Sequence, residues 1–341
     1  MANVLVTGGG GYIGSILVET LLDAGHAVTV LDRFFFGREA LDGVAGHPRL
    51  RIVQDDIRWC APEVLDGIEV VMDLAALSND PAGELDPERT LEINHQGRVR
   101  IARIARERGA ARYILASSCS IYGFHEGVVL DEASPPNPLT TYAQANLLAE
   151  QDTLPLAGDG FAVTVLRQAT VYGLSPRMRF DLAINGMVLG LHKHGRIPVL
   201  RDGTQWRPFV HVRDTARAFV LTMDAPVERV SGQILNIGSD DQNVQILPLA
   251  ETVARAVGRD GATEWYGLPD HRSYRVSFGK AREAMGFLPA WTPEQGAQEV
   301  MAALEEGRVT DGPRTLTVAW YKALLEWQDR LAGVVQRGRI L

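Results

Sequence analysis

Residues 1–14 read MANVLVTGGGGYIG, and this stretch decides the fold of the first half of the chain. Its β-branched run at 2–7 predicts a short strand, and the glycines that follow end the strand in a tight turn. The segment SILVETLLDAG at 15–25 then has apolar residues at helical spacing and ends at a glycine. A second β-branched run, AVTVLD, occupies 27–32. We therefore predict a βαβ unit, which requires a parallel sheet and a right-handed crossover.

The glycines of this turn predict a dinucleotide site. Without side chains there, backbone amides and the N-terminus of the first helix can approach a pyrophosphate. Asp32 ends the second strand, where a carboxylate accepts hydrogen bonds from a ribose diol and repels a 2′-phosphate. This favours NAD over NADP, with Arg33, the next residue, as the one feature that argues the other way. From their positions in the turn and at strand ends, the predicted cofactor-binding residues are Thr7, Gly8, Gly11, Tyr12, Ile13, Gly14, Asp32, Asp56, Ile57, Leu74, Ala75 and Ala76.

Strands and helices alternate through the rest of the first half. Apolar runs predict strands at 50–56, 70–76, 112–118 and 161–169, and helical spacing predicts helices at 87–108 and from about 141. Such alternation is typical of a Rossmann-type doubly wound parallel sheet. We therefore expect an α/β fold with an NAD-binding domain over 1–170.

After about residue 170 the pattern loosens into segments punctuated by glycine and proline. Helices are predicted at 179–193, 212–224, 247–257 and 294–306. We assign 171–341 to a smaller C-terminal α/β lobe that binds the substrate. Within it, the segment 207–225 is expected to fold back on the first domain.

Composition excludes several classes of function. The chain has 341 residues, 46% of them hydrophobic, a formal net charge of −8 and an isoelectric point near 5.5. Nucleic acids and anionic lipids reward surplus lysine and arginine, so neither is an expected partner. Two cysteines, Cys60 and Cys119, are too few for a disulfide framework. With no signal peptide and no apolar membrane span in the sequence, we expect a cytoplasmic protein.

A set of motifs spread over nearly the whole chain resembles those of one enzyme family. The motifs are TGGGGYIG at 7–14, DDI at 55–57, SSCSIYG at 117–123, Tyr142 with a helix after it, LRQATVYG at 166–173, WRPFVHVRD at 206–214 and HRSYRVSFGKA at 271–281. Together they resemble the extended short-chain dehydrogenase/reductases, a family that includes nucleotide-sugar epimerases and dehydratases. The last two motifs resemble the family's sugar-nucleotide-binding segments.

The resemblance implies a catalytic tyrosine but lacks its usual lysine. In that family a Tyr-x-x-x-Lys pair does the acid/base work, whereas the segment here runs from Tyr142 to Asn146. Tyrosine ordinarily titrates near pKa ~10 and needs a nearby cation to act as a base at neutral pH. The resemblance places both Tyr142 and Asn146 in the catalytic set and among the cofactor-binding residues. Asn146 lies one helical turn on and can hydrogen-bond the nicotinamide ribose, but it carries no charge. The nicotinamide ring of NAD+ would then be the main remaining cation. Ser118 matches the family's Ser/Thr that hydrogen-bonds the reacting group.

The residues after Ser118 depart from two branches of the family. Nucleotide-sugar 4,6-dehydratases carry an Asp-Glu pair there, and the related sugar-acid decarboxylases carry a glutamate at the second position. This chain has Cys119 and Ser120 instead, so no carboxylate pair is available for proton transfer. Cys119 is a candidate proton donor or acceptor only if its pKa is lowered, and otherwise a small packed residue.

An arginine-rich substrate site is expected because a nucleotide sugar carries two phosphate charges. The resemblance implies the substrate-binding residues Ser118, Tyr142, Asn185, Arg207, Arg272 and Arg275. His192 and His194 have no carboxylate or cysteine at ligand spacing, so we predict no metal site.

The leading hypothesis is an NAD-dependent nucleotide-sugar epimerase that acts at C4 by transient hydride transfer. The alternatives are a nucleotide-sugar ketoreductase or atypical dehydratase, and a catalytically impaired NAD- and nucleotide-sugar-binding protein, which the missing lysine suggests. For a weakened enzyme, Asn146→Lys would raise turnover. The family resemblance also implies a homodimer that pairs through the helices at 87–108 and 141–153.

Overall fold

Seven parallel strands form the central sheet of the computed structural model, which describes residues 1–270, 272–336, 338 and 339. The strands, numbered along the chain, are β1 (Asn3–Thr7), β2 (Ala27–Asp32), β3 (Leu50–Gln54), β4 (Val70–Asp73), β5 (Arg112–Ser118), β6 (Phe124–Leu130), β7 (Ala162–Gln168), β8 (Thr170–Tyr172), β9 (Arg196–Leu200), β10 (Trp206–His211), β11 (Gln233–Ile237), β12 (Asn243–Gln245), β13 (Ala262–Tyr266) and β14 (Ser273–Val276). The central sheet has the order β11-β7-β5-β4-β1-β2-β3. This confirms the Rossmann-type doubly wound sheet expected from the sequence.

Helices pack on both faces of this sheet. They are α1 (Tyr12–Asp23), α2 (Asp80–Gly83), α3 (Pro87–Leu91), α4 (Arg98–Glu107), α5 (Thr141–Thr153), α6 (Ala183–His194), α7 (Val212–Asp224), α8 (Val227–Val230), α9 (Ile246–Ala256), α10 (Gly279–Met285), α11 (Pro293–Glu305) and α12 (Thr317–Ala332). Val4 and Val6 of β1 belong to the apolar cluster that includes α1 and α7, whereas Leu5 between them belongs to the cluster with α4 and α5. Successive side chains of a strand point to opposite faces of the sheet. The apolar run of β1 is therefore buried by helices on both faces.

The strand order reverses at β1, which lies between β2 and β4. Thr7, the last residue of β1, pairs with Leu31 on one side and with Asp73 on the other. In open α/β sheets, ligands bind in the crevice outside the carboxyl ends of the strands at such a reversal. The topology therefore places the expected cofactor turn at the crevice.

The second half of the chain contributes to both lobes. Three small sheets, β12-β10-β8, β13-β9 and β14-β6, form beside the central sheet with α6, α9 and α11. Strand β11, however, joins the central sheet next to β7, and α7 packs on α1. The domain boundary at residue 170 stays a prediction, and so does the assignment of 207–225 to the first domain. None of the helices in the described part of the chain is both long and apolar enough to cross a bilayer.

The helix predicted at 87–108 contains a π-helical segment, Glu92–Gly97, between α3 and α4. Within that segment the amide of Asn94 accepts from the Leu77 backbone N–H at 2.8 Å and donates to the Leu77 carbonyl oxygen at 3.0 Å. These bonds tie the helix to the loop after β4, and π-helical turns often occur at such functional positions.

The other predicted helices differ from the structure mainly at their ends. Helix α7 has the predicted bounds, and α9 and α11 each begin one residue early. The helix predicted at 179–193 begins only at Ala183, after a loop in which Arg179 forms an ion pair with Asp181. Strand β11 and helix α12 were not predicted from the sequence.

A buried ion pair anchors α5 to the central sheet. Arg167 of β7 donates to Glu150 of α5 at 2.7 Å, and both side chains are almost fully buried. Ser117 of β5 also donates to Glu150, and Arg167 donates to the hydroxyl of Tyr122 at 2.9 Å. Since α5 also carries Tyr142 and Asn146, this network sets the position of the expected catalytic helix.

We predict that Arg167→Met lowers the free energy of unfolding by about 3–5 kcal/mol, because it leaves the buried Glu150 carboxylate without its partner. Arg106→Met is the matched control, since Arg106 pairs with Asp159 at 3.1 Å on the surface. Such an exposed pair contributes about 0–1 kcal/mol. Urea unfolding of both variants measures the difference, and equal losses would contradict the anchoring role.

Candidate active site

A cleft of about 910 Å³ opens at the carboxyl ends of β1, β2, β4 and β5. Its opposite wall comes from the second half of the chain, from the loop before α6, from α6 itself and from the segments around β10 and β14. The carboxyl ends of these strands and the second half of the chain therefore enclose one continuous site.

The glycine turn between β1 and α1 forms the floor of the cleft. Gly8 has φ +69°, and a Cβ there would lie 2.9 Å from the backbone nitrogen of Ala75. A Cβ on Gly14 would overlap the carbonyl oxygen of Gly8. Thr7 lies beneath the turn, where its hydroxyl donates to Asp73 and accepts from the backbone N–H of Ala75 at 3.1 Å. The turn is thus held by contacts that no larger residue permits.

Asp32 closes one end of this floor. Its carboxylate accepts from the backbone N–H of Gly10 at 2.9 Å and from that of Phe34 at 2.6 Å. Arg33 turns away and pairs with Asp56 at 2.7 Å. Although burial opposes ionisation, hydrogen bonds from Arg58 and Arg33 lower the pKa of Asp56 to about 2. The cation that argued for NADP is therefore already engaged by a carboxylate.

The residues predicted to bind cofactor lie mainly along the cleft wall. Those that line it are Gly8, Gly11, Tyr12, Ile13, Gly14, Asp32, Asp56, Ile57, Leu74, Ala75, Ala76 and Tyr142. Thr7 and Asn146 are buried behind the wall. Phe34, Phe35 and Phe36 after β2, and Tyr321 of α12, line the same region and were not predicted.

Arg177 is a further lining residue that sequence reasoning missed. Its guanidinium lies 3.6 Å from the centre of the Phe36 ring and donates to the hydroxyl of Thr317 at 3.1 Å. Its Nε is buried without a partner among the described residues. Desolvation, with Arg179 nearby, lowers the pKa of Arg177 to about 10. A buried cation with an unused donor, beside a glycine cradle and Asp32, fits a cofactor that carries a pyrophosphate and a ribose, as NAD does.

Tyr142 and Ser118 both line the cleft. Tyr142 lies in the first turn of α5, which is capped by the Thr140 hydroxyl, and α2 packs against it at Gly83. Ser118 ends β5, where its hydroxyl accepts from the backbone N–H of Ser120 at 3.1 Å. Desolvation raises the pKa of Tyr142, whereas Arg98 is the strongest influence that lowers it, ahead of Ser118 and Asn146. The structure thus brings together the two residues expected to act on the substrate hydroxyl.

Asn146 contacts a buried arginine that was not predicted. Its Oδ1 accepts from Arg98 Nη1 at 2.9 Å, and its Nδ2 donates to the backbone oxygen of Tyr142 at 2.9 Å. Arg98 Nε donates to the Ala75 carbonyl oxygen at 3.1 Å. Arg98 is 2% exposed yet borders the cleft. The spacing of Tyr142 and Asn146 carried no signal for it, because Arg98 comes from another helix.

Cys119 lies outside the cleft. Its thiol is 1% exposed and donates to the carbonyl oxygen of Arg167 at 3.3 Å. Burial raises the pKa of the Cys119 thiol far above its usual value. The geometry favours the packed residue over the proton donor or acceptor, so we leave Cys119 out of the catalytic set that we propose below. Ser120, in contrast, lines the cleft.

Two of the predicted substrate arginines line the cleft and share an aspartate. Arg207 and Arg272 both pair with Asp270, at 2.7 and 2.8 Å, and Arg272 also pairs with Asp80. Arg275 does not line the cleft, and its guanidinium lies 5.2 Å from the centre of the Trp206 ring. The first two arginines therefore stay candidates for direct contact.

Asn185, the other predicted phosphate residue, is also placed behind the wall. It is fully buried, accepts from the backbone N–H of Gly173 at 3.0 Å, and donates to the Tyr12 hydroxyl at 3.0 Å and to the Arg179 carbonyl oxygen at 2.9 Å. All its hydrogen-bonding groups are used. In this structure it supports cleft residues and does not itself line the cleft.

Unpartnered polar atoms concentrate at this cleft. Among the described residues six buried side-chain atoms have no hydrogen-bond partner, and four of them belong to lining residues: Ser120 Oγ, Gln168 Oε1, Arg177 Nε and Gln205 Oε1. Leaving a buried polar group unsatisfied costs about 1–3 kcal/mol. Their grouping indicates that the cleft is built for a polar ligand.

Comparison with known families agrees with this geometry. Residues 4–238 match the model of the NAD dependent epimerase/dehydratase family. The match confirms NAD as the cofactor and the resemblance inferred from the sequence motifs.

Curated relatives include three kinds of nucleotide-sugar enzyme. The dTDP-glucose 4,6-dehydratase of Streptomyces griseus is 30% identical over 344 residues, which covers 96% of this chain and 97% of the relative. The UDP-glucose 4-epimerase of Corynebacterium glutamicum is 28% identical, covering 85% and 91%. The UDP-glucuronic acid decarboxylase 1 of Xenopus tropicalis is 25% identical, covering 87% and 71%.

A solved structure adds a ligand-bound relative. MoeE5 in complex with UDP-glucuronic acid and NAD is 29% identical and superimposes with a TM-score of 0.79, covering 89% of this chain and 99% of that one. Sequence and structural relatives thus agree on NAD-dependent enzymes of nucleotide sugars, and they differ in the reaction.

We predict that Gly14→Ala weakens NAD binding about tenfold, and at the least about fivefold, because its methyl group would overlap the Gly8 carbonyl oxygen and displace the turn. Overpacking of this kind costs about 1–3 kcal/mol, and 1.4 kcal/mol is a tenfold change. Gly43→Ala is the control, since an added Cβ there meets nothing within 4 Å. Calorimetric titration with NAD measures both, and equal affinities would argue against the turn as the pyrophosphate site.

Proposed function

The chain belongs to the NAD dependent epimerase/dehydratase family, and from this premise we propose that it is a nucleotide-sugar 4-epimerase. The observation that carries the proposal is that Tyr142 and Ser118 line the same cleft while positions 119 and 120 hold no carboxylate. Oxidation and re-reduction of one carbon needs a base for one hydroxyl proton. Elimination and decarboxylation in this family use carboxylates directly after the serine, and positions 119 and 120 have none.

Each residue of the site then has a chemical task. NAD, when bound, supplies the hydride acceptor and later the hydride donor. The Tyr142 phenolate takes the proton from the C4 hydroxyl, and the Ser118 hydroxyl donates a hydrogen bond to the oxygen left behind. In the reverse half of the reaction Tyr142 would give the proton back to the same oxygen. Both residues act on the same oxygen, which accounts for their pairing.

The carboxylates of the cleft support the choice among reactions. Asp80 is the one whose charge raises the pKa of Tyr142, but it already binds Arg272 and the Thr140 hydroxyl. Each of its two oxygens is therefore already engaged by a partner. This argues against Asp80 as the acid of an atypical dehydratase.

The substrate class follows from the arginines. We assign the nucleoside diphosphate to the side of the cleft with Arg207 and Arg272, and the sugar to the space near Ser120 Oγ and Gln168 Oε1, whose buried polar atoms lack partners. We further propose that the protein is cytoplasmic and forms a homodimer. The dimer would pair through α5 and the helical stretch 87–108, which contains the π-helical segment.

The test follows reduced-nicotinamide absorbance and products while NAD-loaded protein receives UDP-, GDP-, dTDP- and CDP-hexoses in turn. The proposal expects interconversion of C4 epimers with no net change in NAD. Net consumption of reduced cofactor would identify a ketoreductase, loss of water a dehydratase, and release of carbon dioxide from a sugar acid a decarboxylase. Binding of a nucleotide sugar without conversion of any would identify the impaired binding protein.

We predict that Tyr142→Phe lowers turnover by about 10²–10⁴-fold, the usual contribution of a general base, and changes nucleotide-sugar affinity only a few-fold. Tyr266→Phe is the control, because it removes a hydroxyl from another part of the same cleft wall. Steady-state assays and calorimetry separate the two effects. An equal loss in both variants would mean that Tyr142 only shapes the cleft.

A further inference from the structure

The missing lysine leaves a question about how Tyr142 ionises, and the buried Arg98 bears on it. Arg98 is on α4, directly after the π-helical segment, and its side chain reaches Ala75 beyond the carboxyl end of β4, at the wall of the cleft. Its N–H groups, within the described residues, bond to two uncharged oxygens, those of Ala75 and Asn146. Arginine stays protonated even when buried. A positive charge without an ion-pair partner therefore lies beside the residue that replaces the lysine.

The orientation of Asn146 depends on this arginine. A guanidinium only donates, so the amide oxygen must face Arg98 and the amide N–H must face the other way. That N–H reaches the backbone oxygen of Tyr142 in the first turn of α5. Asn146 thus connects Arg98 to the turn that carries the catalytic hydroxyl.

A lysine at position 146 would not fit here. Its ammonium would come close to the guanidinium of Arg98, and two cations about 4 Å apart in a buried site repel strongly. Asparagine is compatible with Arg98 because its oxygen accepts. The cation on α4 is therefore compatible with asparagine, and not with lysine, at position 146 of α5.

We propose that Arg98 supplies the charge that stabilises the phenolate of Tyr142, in place of the lysine, and that Asn146 fixes its position. This inference rests on the proposed function, and it makes Arg98 a positioning residue. Other charges also face the two groups. Asp80 and Arg179 lie near Tyr142, and Asp73 lies near Arg98, where Thr7 and Tyr113 donate to it.

The first test is the pH dependence of turnover in Arg98→Gln. Removal of the cation makes the phenolate harder to form, so the rise of activity with pH should move upward by about one unit or more. Near neutral pH turnover should fall about tenfold, and it should recover as the pH is raised. Arg98→Lys should keep a profile close to that of the parent.

Arg100→Gln is the matched control on the same helix. Arg100 donates to the backbone oxygens of Cys60 and Ile57 at 2.7 and 3.1 Å and does not line the cleft. A purely structural role for Arg98 would lower activity at every pH without shifting the profile, as a loss of packing would. That result would overturn the proposal.

A second measurement does not need a substrate. Ultraviolet difference titration follows tyrosine ionisation, and comparison with Tyr142→Phe identifies the signal of Tyr142. The proposal expects that signal to move to higher pH in Arg98→Gln and to stay in Arg100→Gln. If it moves but no sugar is converted, the proposed function fails while the role of Arg98 stands. If it does not move, the role of Arg98 fails.

The charge can also be returned to its usual helix. Asn146→Lys alone should lose turnover, because the new ammonium meets Arg98. In the Arg98→Gln background the same change should recover at least part of the turnover lost in Arg98→Gln. A gain of turnover from Asn146→Lys in the parent, or no recovery in a folded double variant, would overturn the replacement. Folding of each variant is checked by thermal unfolding.

Discussion

The end of β4 holds the cofactor turn and the catalytic helix together, and the rest of the site depends on it. Thr7 donates to Asp73 and accepts from the backbone of Ala75, which fixes the end of β1 against the end of β4. Gly8 packs so closely on Ala75 that a Cβ would be 2.9 Å from its nitrogen. The carbonyl of the same Ala75 then holds Arg98. One residue therefore supports the glycine cradle with its amide and the buried cation with its oxygen.

The electrostatics of the cleft divide its cations into two groups. Arg207 and Arg272 are paired with Asp270, so a phosphate there must compete with a carboxylate. Arg98 and Arg177, in the described part of the chain, form no such pair. The charge of Arg98 acts on the two acidic groups beside it, the Tyr142 hydroxyl and Asp73.

The sequence predicted best those parts of the fold that depend on residues close together in the chain. The first strand, the glycine turn and Asp32 are close together in the chain, and their pattern determined the βαβ unit and the cofactor. Arg98, Gln168 and Arg177 were missed because each reaches the cleft through tertiary contacts that have no spacing signal. Asn185 was expected near phosphate, yet it hydrogen-bonds the Tyr12 hydroxyl and two backbone groups instead. A motif identifies a residue type near a site, but only packing decides whether it faces the ligand.

Moving the cation from α5 to α4 also changes what it can do. A lysine can give up its proton, so it can both stabilise a phenolate and pass protons onward. An arginine remains charged, and Arg98 therefore acts through its field alone. Its position is set by Ala75, on the strand end that also shapes the cofactor turn. The charge on Tyr142 is therefore tied to the geometry of the cofactor site and not to the helix that carries the tyrosine. Proton exchange between Tyr142 and solvent must then use the cleft itself, through Ser118 and the hydroxyls of a bound ligand.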